Sequence, residues 1–348
     1  MLRCLSAGES HGKAVVAILE GFPSGVKVEI NKLNGELKRR QKGQGRGRRM
    51  QIENDRLEII SGLKNGITIG SPLTLLVKNS DSSIERLHKV VSARPGHADL
   101  AGFLKYGFTD IREVLERASA RSTVATVAAG ALCKTMLSVF GIKIKSRVLS
   151  VGGENSCSGI SSKIKEAAEN RDTVGGTFEV ISSGVPVGLG SYVQPDRRLD
   201  SRLAGAVMSI PGVKSFEVGL GLGYSVSFGS EVHDPIYYKK GAGYFRKTNN
   251  AGGIEGGISN GEDIILRACM KPIATLMRPL ESVDIRTKKA SRAATERSDI
   301  CVVESAGVVA ESACAFVLAD AFLEKFGSDA LPDIKKSFAV YMDRIRHA

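Results

Sequence analysis

The stretch ASARSTVATVAAGALCKTMLSVF, residues 118–140, is alanine-rich and repeats its apolar side chains at the spacing of a helix. The repeating positions are Val124, Val127, Ala128, Leu132, Met136 and Val139. Gly141 follows in the position of a helix C-cap, so the pattern predicts one helix from 118 to 140. Because this helix would begin just after Glu116 and Arg117, we expect its free backbone N–H groups and the nearby arginines to face one anion site.

The segments on either side of this helix mix strands and helices. Alternating or short apolar runs predict strands at 14–20, 26–30, 57–61, 73–78, 142–151, 177–181, 213–218 and 264–270. The first two are expected to pair as a hairpin through residues 22–25. Helices are predicted after the N-cap Asn31 and at 161–170, 201–209, 305–326 and 332–346. Strands and helices cluster rather than alternate and no linker divides the chain, so we predict an α+β fold with antiparallel sheets in one large domain, 1–348.

The composition of the 348 residues is that of a globular chain, with a formal net charge of +12. This charge attracts polyanions but does not distinguish nucleic acid from a small phosphorylated substrate. The six cysteines are widely spaced and form no CxxC pair, so neither a disulfide framework nor a metal site is expected. Charged residues interrupt the longest apolar run, 302–323, and the N-terminus does not resemble a secretion signal. We therefore expect a soluble, cytoplasmic protein with no membrane segment.

Two of the five histidines lie in glycine-flanked turns that are followed by basic sequence. His11 lies in Gly8-Glu9-Ser10-His11-Gly12, and His97 lies in Arg94-Pro95-Gly96-His97-Ala98-Asp99. Since the unperturbed histidine pKa is near neutrality, a histidine close to fixed positive charge is suited to donating a proton to an anionic substrate. His88, His233 and His347 lack such surroundings and are expected to be structural or surface residues.

Eight arginines flank glycine, proline or acidic turn residues, and a planar guanidinium group suits bidentate pairing with carboxylate or phosphate. These arginines are Arg39, Arg40, Arg46, Arg94, Arg112, Arg117, Arg121 and Arg297. The glycine-rich stretch 251–261 matches no nucleotide-binding fingerprint. Gly252 and Gly253 either permit tight turns or border a site of another kind, and the sequence favours neither interpretation.

Several longer motifs occur in a fixed order. Besides the two histidine turns they are 39–41 with 43–49, Lys105-Tyr106-Gly107, Asp110-Ile111-Arg112, 116–121, 256–261, Lys271-Pro272 and Arg297-Ser298-Asp299. With this set of motifs the chain resembles the chorismate synthase family over nearly its whole length. The resemblance implies a single large β-α-β sandwich-type domain with antiparallel sheets and central helices.

The resemblance also implies a reaction. Members of this family are lyases that convert 5-enolpyruvylshikimate 3-phosphate to chorismate and phosphate by anti-1,4-elimination, the last common step of the shikimate pathway to aromatic amino acids. They require reduced flavin mononucleotide (FMN) although the reaction has no net redox change, since an electron-rich flavin can assist the departure of phosphate and then take up the proton through N5. A substrate with a phosphate and two carboxylates, together with the flavin phosphate, would account for the concentrated positive charge.

Residue roles follow from the same resemblance. His11 would protonate the leaving phosphate, and His97 would steady the reduced flavin near N1. Asp299, with Ser10 as its partner, would relay the proton at flavin N5. The substrate anions would be bound by Arg40, Arg46 and Arg121, although the family sometimes assigns the site of the first two to NADP. The implied flavin contacts are Arg117, Ala118, Ser119, Pro211, Gly212, Gly256, Lys271, Pro272, Ile273, Ala274, Thr275 and Arg297.

The chain departs from the family pattern at three positions. Ser122 and Thr126 stand where many relatives carry charged residues, and Glu304 stands where a proline is common. None of these changes removes an expected proton donor or acceptor. The resemblance implies a homotetramer and leaves open whether NADPH serves as reductant on the enzyme itself. Because the chain has no sizeable insertion, we expect it to depend on an outside source of reduced flavin.

An alternative from another class is a basic RNA- or polyanion-binding protein that uses residues 39–49 as a basic arm. Aromatic residues make up only 5% of the chain, tryptophan is absent, and no aromatic residue interrupts the basic segment. The stacking platforms that single-stranded nucleic acids use are therefore missing. The sequence favours the small-molecule enzyme, with no nucleic-acid partner.

Overall fold

Two four-stranded antiparallel sheets form the outer layers of the protein, whose computed structural model describes residues 1–47, 54–241, 243–296 and 298–348. In the first sheet the strands lie in the order β1 (Arg3–Ala7), β2 (Ala14–Glu20), β6 (Leu73–Lys78) and β3 (Leu57–Ser61). In the second sheet they lie in the order β7 (Lys143–Val151), β8 (Gly176–Ser183), β14 (Ile264–Met270) and β9 (Val213–Val218).

Short two-stranded antiparallel ribbons are separate from these two sheets. They are β4 (Leu63–Lys64) with β5 (Ile67–Thr68), β10 (Ile236–Lys239) with β11 (Gly243–Arg246), β12 (Ile254–Glu255) with β13 (Ile258–Ser259), and β15 (Glu281–Val283) with β16 (Ala290–Arg292). Single turns of 3-10 helix occur at Ile84–Arg86, Ala120–Ser122 and Pro195–Arg197, and a longer 3-10 segment at Gly221–Val226.

The helices include four that form the middle layer. Within the described ranges the helices, in chain order, are α1 (Ile30–Gln41), α2 (Asp99–Tyr106), α3 (Arg112–Ala118), α4 (Thr123–Ser138), α5 (Cys157–Glu169), α6 (Leu199–Met208), α7 (Gly229–Val232), α8 (Val303–Phe326) and α9 (Leu331–Arg346). Helix α4 packs on β2 and β6 of the first sheet, and α8 packs on β7 and β8 of the second. Helices α4 and α8 pack against each other, and α1 and α6 extend their layer. The predicted α+β fold, a β-α-β sandwich with antiparallel sheets and central helices, is confirmed.

The close contact between α4 and α8 depends on small residues. A Cβ atom added at Gly130 of α4 would lie 2.4 Å from the Cβ of Ser312 on α8, so only glycine fits there. Helix α8 is long and apolar enough to cross a membrane by length and composition alone, but 89% of the relevant window is buried inside the fold. It is the central core helix of the sandwich, packed on α4 and on strands β7 and β8.

Strand patterning explains how each sheet covers this helical layer. Along β14 burial alternates strictly, with Ile264, Leu266, Ala268 and Met270 buried and their neighbours partly exposed. Because successive side chains of a strand point to opposite faces, all four lie on the same face of the sheet. Strand β6 shows the same alternation on the opposite side of the core. The strands predicted at 57–61, 73–78, 142–151, 177–181, 213–218 and 264–270 are present, with ends shifted by two residues at most.

The predicted hairpin of 14–20 with 26–30 is wrong. Strand β2 pairs with β1 on one side and with β6 on the other, and residues 26–29 form no strand. Instead the segment after β2 turns through Gly21 and Gly25, both at positive φ, and is held by side chains such as Thr68, whose Oγ1 accepts a hydrogen bond from Val26 N–H. Apolar residues recur in this segment because Phe22 and Val26 enter the core from an irregular backbone.

The single helix predicted from 118 to 140 is interrupted at its start. Helix α3 ends at Ala118, a 3-10 turn spans Ala120–Ser122, and α4 begins at Thr123. Ser119 breaks the helix because it adopts an extended backbone and its hydroxyl accepts from Arg121 N–H. The N-cap prediction for Asn31 is also wrong, since α1 begins at Ile30 after Glu29.

Candidate active site

A cavity of about 770 Å³ lies where the histidine turns, α3, the start of α4 and the second sheet meet. Such a volume is within the usual range for small-molecule sites. The cavity gathers most of the residues that the sequence predicted for the site. Those in its wall are Ser10, His11, Arg40, Arg46, His97, Ala118, Ser119, Arg121, Pro211, Gly212, Lys271, Pro272, Ile273, Ala274, Thr275 and Asp299. His88, His233 and His347 are exposed elsewhere, as expected.

His11 is held by Glu116 of α3. Its Nδ1 lies 2.9 Å from Glu116 Oε1, and its backbone N–H donates to Glu116 Oε2 at 2.7 Å. Burial alone would raise the pKa of the Glu116 carboxyl, but the bonds from His11 and the charge of Arg112 together hold that pKa below its usual range. The adjacent Ser10 donates its N–H to the carbonyl of Glu116 and contacts Ser119, Oγ to Oγ 3.2 Å.

His97 belongs to a second hydrogen-bonded cluster. Its Nδ1 lies 2.5 Å from Asp99 Oδ1, and Asp99 also accepts from Nε, Nη2 and the backbone N–H of Arg94. Burial would raise the pKa of the Asp99 carboxyl, but its bonds with His97 and Arg94 lower that pKa well below the ordinary value. Arg94 Nη1 reaches Thr275 at 2.7 Å, and the Lys271 ammonium donates to the carbonyl of Gly96. These bonds attach the His97 turn to the segment that follows β14.

Two arginines share one buried carboxylate. Asp55 Oδ2 accepts from Arg40 Nη2 at 2.7 Å, and Asp55 Oδ1 accepts from Arg121 Nη1 at 2.5 Å. Arg40 and Arg121 are 4% and 7% exposed, and both line the cavity. Burial lowers the pKa of the Arg40 guanidinium, and the attraction of Asp55 offsets part of that effect. Asp55 therefore bonds both guanidinium groups and holds them in place beside the cavity.

Arg46 and Asp299 form an ion pair that also lines the cavity. Arg46 Nη1 lies 3.0 Å from Asp299 Oδ2, and Gly47 N–H donates to Asp299 Oδ1 at 2.5 Å. The residue just before Arg46 is bonded to the residue just after Asp299, because the Gly45 carbonyl accepts from Ile300 N–H at 2.7 Å. Burial lowers the pKa of Arg46, and Asp299 offsets part of this.

Two predicted flavin contacts, Arg117 and Gly256, are not among the residues that line this cavity. Arg117 is exposed and donates to the carbonyls of Ser6 and Gly8, which braces the His11 turn. Gly256 lies at the tip of the β12–β13 hairpin, where it and Gly257 both take positive φ as the tight turn requires. Arg297 lies outside the described residues. For all three a flavin contact stays a prediction.

Two other arginines of the predicted cluster are used elsewhere. Arg39 pairs with Glu36 and with the fully buried Glu311 of α8, away from the cavity. Arg112 pairs with Glu296 and approaches Glu116, Nη1 to Oε1 3.8 Å. Both arginines therefore support elements that carry site residues. At Gly252 and Gly253, added Cβ atoms would lie 2.3 Å from Gly219 N and 2.5 Å from the Asp263 carbonyl, which favours close backbone packing there.

Sequence reasoning missed three buried carboxylates, Glu116, Asp99 and Asp55. Two of them carried a signal, because Asp99 ends the His97 motif and Glu116 begins the motif 116–121. A carboxylate near a catalytic histidine is a common orienting partner, and this could have been inferred for Asp99. Asp55 carried no such signal, since nothing in its local sequence indicates that it bonds two arginines that are distant in the chain.

Comparison with known proteins assigns the chain to a family. A family model described as chorismate synthase matches residues 2–323. The chain belongs to the chorismate synthase family. A chorismate synthase of Caldanaerobacter subterraneus subsp. tengcongensis is 51% identical over 99% of both chains, and one of Thermoanaerobacter pseudethanolicus is 50% identical over 99% of this chain and all of that one. A solved structure entitled "Crystal Structure of Chorismate Synthase" covers 100% of this chain and 99% of its own at a TM-score of 0.83 and 39% identity.

Chorismate synthases are soluble lyases of aromatic amino acid biosynthesis that act on a small molecule and use reduced flavin. The RNA- or polyanion-binding alternative receives no support from these relatives. The cavity suits such ligands on its own chemistry. Arg40 and Arg46 both line the cavity and supply positive charge for an anion. Apolar residues such as Leu115, Ile210 and Val309 supply surface for a flat ring.

Proposed function

We propose that this cavity is the active site where the chain, as one catalytic domain spanning 1–348, converts 5-enolpyruvylshikimate 3-phosphate to chorismate and phosphate with reduced FMN. The observation that carries the proposal is that both turn-borne histidines and the arginines Arg40, Arg46 and Arg121 line one cavity. A polar anion in such a site is stabilised by fixed donors in surroundings from which much of the water is excluded.

The substrate anions would be bound by Arg40, Arg46 and Arg121. Arg40 and Arg121 are held by Asp55, so their guanidinium groups are oriented before substrate arrives. Such preorganisation reduces the entropy that binding would otherwise cost. Arg46 lines the same cavity, and all three guanidinium groups suit charge-assisted hydrogen bonds to phosphate or carboxylate oxygens.

Reduced FMN would be held by Ala118, Ser119, Pro211, Gly212 and 271–275, with Arg117, Gly256 and Arg297 as further predicted contacts. When bound, it supplies electron density that favours departure of the phosphate. His97 would lie beside the flavin N1 region and stabilise the charge of the reduced ring. The Lys271 ammonium donates to the carbonyl of Gly96, so residues 271–275 and the His97 turn lie next to each other.

Proton transfer would be carried by His11, Asp299 and Ser10. Glu116 occupies Nδ1 of His11, so Nε2 is the nitrogen left to protonate the departing phosphate. Asp299, fixed by Arg46 and the Gly47 N–H, would take part in removing the C–H proton together with Ser10. Each role requires the group to come within hydrogen-bond reach of the reacting atom.

The test is turnover with chemically pre-reduced FMN under anaerobic conditions, measured as phosphate release. His11→Ala and His97→Ala should each lower kcat by about 10²-fold or more, as expected for positioned acid–base groups. The exposed His347→Ala is the matched control and should keep full activity. Normal turnover by both cavity variants would refute the assignment. Oxidised FMN should also bind the protein with a change in its visible spectrum, strengthened by substrate, whereas a polyanion binder would show only salt-sensitive association.

We further propose a cytoplasmic homotetramer without nucleic-acid or membrane partners that receives its reduced flavin from outside. NADPH as sole electron source should then give no turnover anaerobically, and turnover under those conditions would show that NADPH serves as reductant on the enzyme. Light scattering should give a mass about four times that of one 37.1 kDa chain. A monomer or dimer would contradict the tetramer.

A further inference from the structure

Two buried carboxylates have no part in the proposed reaction, yet each contacts one of the cavity histidines. Glu116 and Asp99 have side chains that are 2% and 0% exposed. Each faces Nδ1 of its histidine and not Nε2. The two come from different elements, α3 and the start of α2. The same arrangement has therefore been built twice, on unrelated local backbones.

Glu116 contacts both the backbone and the ring of His11. Oε2 accepts the backbone N–H of His11 at 2.7 Å, while Nδ1 lies 2.9 Å from Oε1 and 3.1 Å from Oε2. Because one carboxylate binds both the backbone and the ring, it fixes the side-chain torsion of His11 as well as its tautomer. On its other side Glu116 faces Arg112, which is itself paired with Glu296 at the cavity wall.

Asp99 holds His97 in a more crowded cluster. One oxygen, Oδ1, serves both His97 Nδ1 and Arg94 Nη2, while Oδ2 accepts from Nε and the backbone N–H of Arg94. Arg94 Nη2 also lies 3.1 Å from His97 Nδ1, so the ring is confined between a carboxylate and a guanidinium. Replacing Asp99 would disturb Arg94 and Thr275 as well, which makes Glu116 the cleaner residue for a test.

The chemistry of these contacts decides the tautomer. The pKa of both carboxyl groups is lowered by their partners despite burial, so each is an acceptor at neutral pH. A histidine whose proton was on Nε2 alone would turn the Nδ1 lone pair toward carboxylate lone pairs at 2.5 to 2.9 Å, which is repulsive. A proton on Nδ1 converts the same contact into a charge-assisted hydrogen bond.

We propose that Glu116 and Asp99 are positioning residues, which accept the Nδ1–H of His11 and His97 and so present Nε2 of each ring to the ligands in the cavity. This inference rests on the proposed function, in which both histidines act on those ligands. It adds that the useful orientation of each ring is imposed by a carboxylate outside the reaction. A carboxylate in this position holds imidazole in one tautomer without itself exchanging protons with substrate.

The first experiment compares Glu116→Gln, His11→Ala and the double variant, with Glu113→Gln as the matched control. Glu113 lies on the same helix and is exposed, and its replacement by Gln removes the same charge. Glu116→Gln should lower kcat by about 10²-fold, with KM within about threefold, because orientation of the acid and not substrate binding is lost. The pH profile of kcat should change shape in Glu116→Gln and remain that of the parent in Glu113→Gln. The double variant should be no slower than His11→Ala.

The outcomes separate the two proposals. Normal turnover by His11→Ala would remove the proposed role of His11 itself. A slow His11→Ala together with Glu116→Gln that keeps the parent kcat and pH profile would overturn the positioning role alone. Losses that multiply in the double variant would also overturn it, since Glu116 would then act independently of His11.

A measurement on the unmodified protein covers the case in which Glu116→Gln fails to fold. Selective 15N labelling of the five histidines gives ring-nitrogen signals, and those of His11 are identified by their absence in His11→Ala. At a pH where the His11 ring is neutral, Nδ1 should be protonated and Nε2 bare. The opposite tautomer at His11 would overturn the proposal.

Discussion

Arg46 Nη1 lies 3.0 Å from Asp299 Oδ2, so a residue expected to bind substrate and one expected to transfer a proton are paired with each other. Asp299 also holds the backbone directly after Arg46, because Gly47 N–H donates to the same carboxylate. Asp299 is therefore oriented by a cation that an arriving anion would also engage. Substrate binding and the placement of this carboxylate are physically linked.

Replacing Asp299 should separate these two roles. Asp299→Asn keeps the shape of the side chain and its bond with Gly47 N–H but removes the charge that would accept a proton. We expect kcat to fall by about 10²-fold or more with KM within a few-fold of the parent, measured as phosphate release with pre-reduced flavin. The exposed Asp196→Asn is the control and should be fully active. A large rise in KM with unchanged kcat would instead assign Asp299 to binding.

Asp55 should matter for folding as much as for binding. Asp55→Asn leaves Arg40 and Arg121 buried with a neutral partner, and breaking a buried ion pair typically costs about 3–5 kcal/mol. Denaturant unfolding should show a loss of this order. Glu58→Gln is the matched control, since Glu58 pairs with Lys78 at the surface and should cost less than about 1 kcal/mol. Equal losses in the two variants would contradict the buried character of the Asp55 cluster.

Two glycines offer a test of the helical layer. Gly130→Ala places a Cβ against Ser312 backbone and side-chain atoms at 2.4 to 2.5 Å, so it should destabilise the fold by about 1–3 kcal/mol through overpacking. Gly205→Ala, at an exposed position of α6, meets nothing within 4 Å and should stabilise by about 0.5–1 kcal/mol. Thermal melts would show the two shifts. Shifts of the same sign would show that α4 and α8 do not approach as closely as described.

Acid should weaken the fold through its buried carboxylates. Burial would raise the pKa of Glu311, but bonds from Arg39 and Lys134 hold it below the 4.5 of a free side chain. Since the unfolded chain then binds a proton more readily, the contribution is complete above about pH 5 and is lost as pH falls through the depressed folded-state pKa. Glu311→Gln should therefore melt lower at pH 7 yet lose less of its melting temperature between pH 5 and 3. Parallel pH curves for parent and variant would contradict this.

Long periodic elements were predictable from the sequence, and irregular ones were not. Strand β14 and helix α8 were found because their burial follows a simple repeat or an unbroken apolar run. The pattern of residues 26–30 was misleading because Val26 and Val28 are buried in a segment that pairs with residues 66–68 through an isolated bridge, and not with β2. The break at Ser119 was missed because a local side-chain cap outweighed the helical pattern around it. Strand β1 was missed because its residues are exposed at a sheet edge and show no alternation.

The candidate site was predictable where a motif carries it. His11, His97 and Arg121 lie in motifs, and the structure brings all three to one cavity. The partners Asp55 and Glu116 became visible only in three dimensions, because Asp55 reaches Arg121 across 66 positions of sequence and Glu116 reaches His11 across 105. Two of the three departures from the family pattern have local explanations. Glu304 occupies the first turn of α8, where a negative charge favours the helix N-terminus, and Ser122 bonds the carbonyl of Ser119.

Helix α8 enters the chain late, at Val303–Phe326, although it fills the space between both sheets. A nascent chain leaving the ribosome would leave the apolar face of the second sheet, and the face of α4 that packs on α8, uncovered until almost all of it had been synthesised. Release from the ribosome, and not the making of any earlier segment, would therefore trigger closure of the sandwich. Until then the growing polypeptide would be a natural client for chaperones, and truncation anywhere before this helix should yield aggregates in place of a smaller working enzyme.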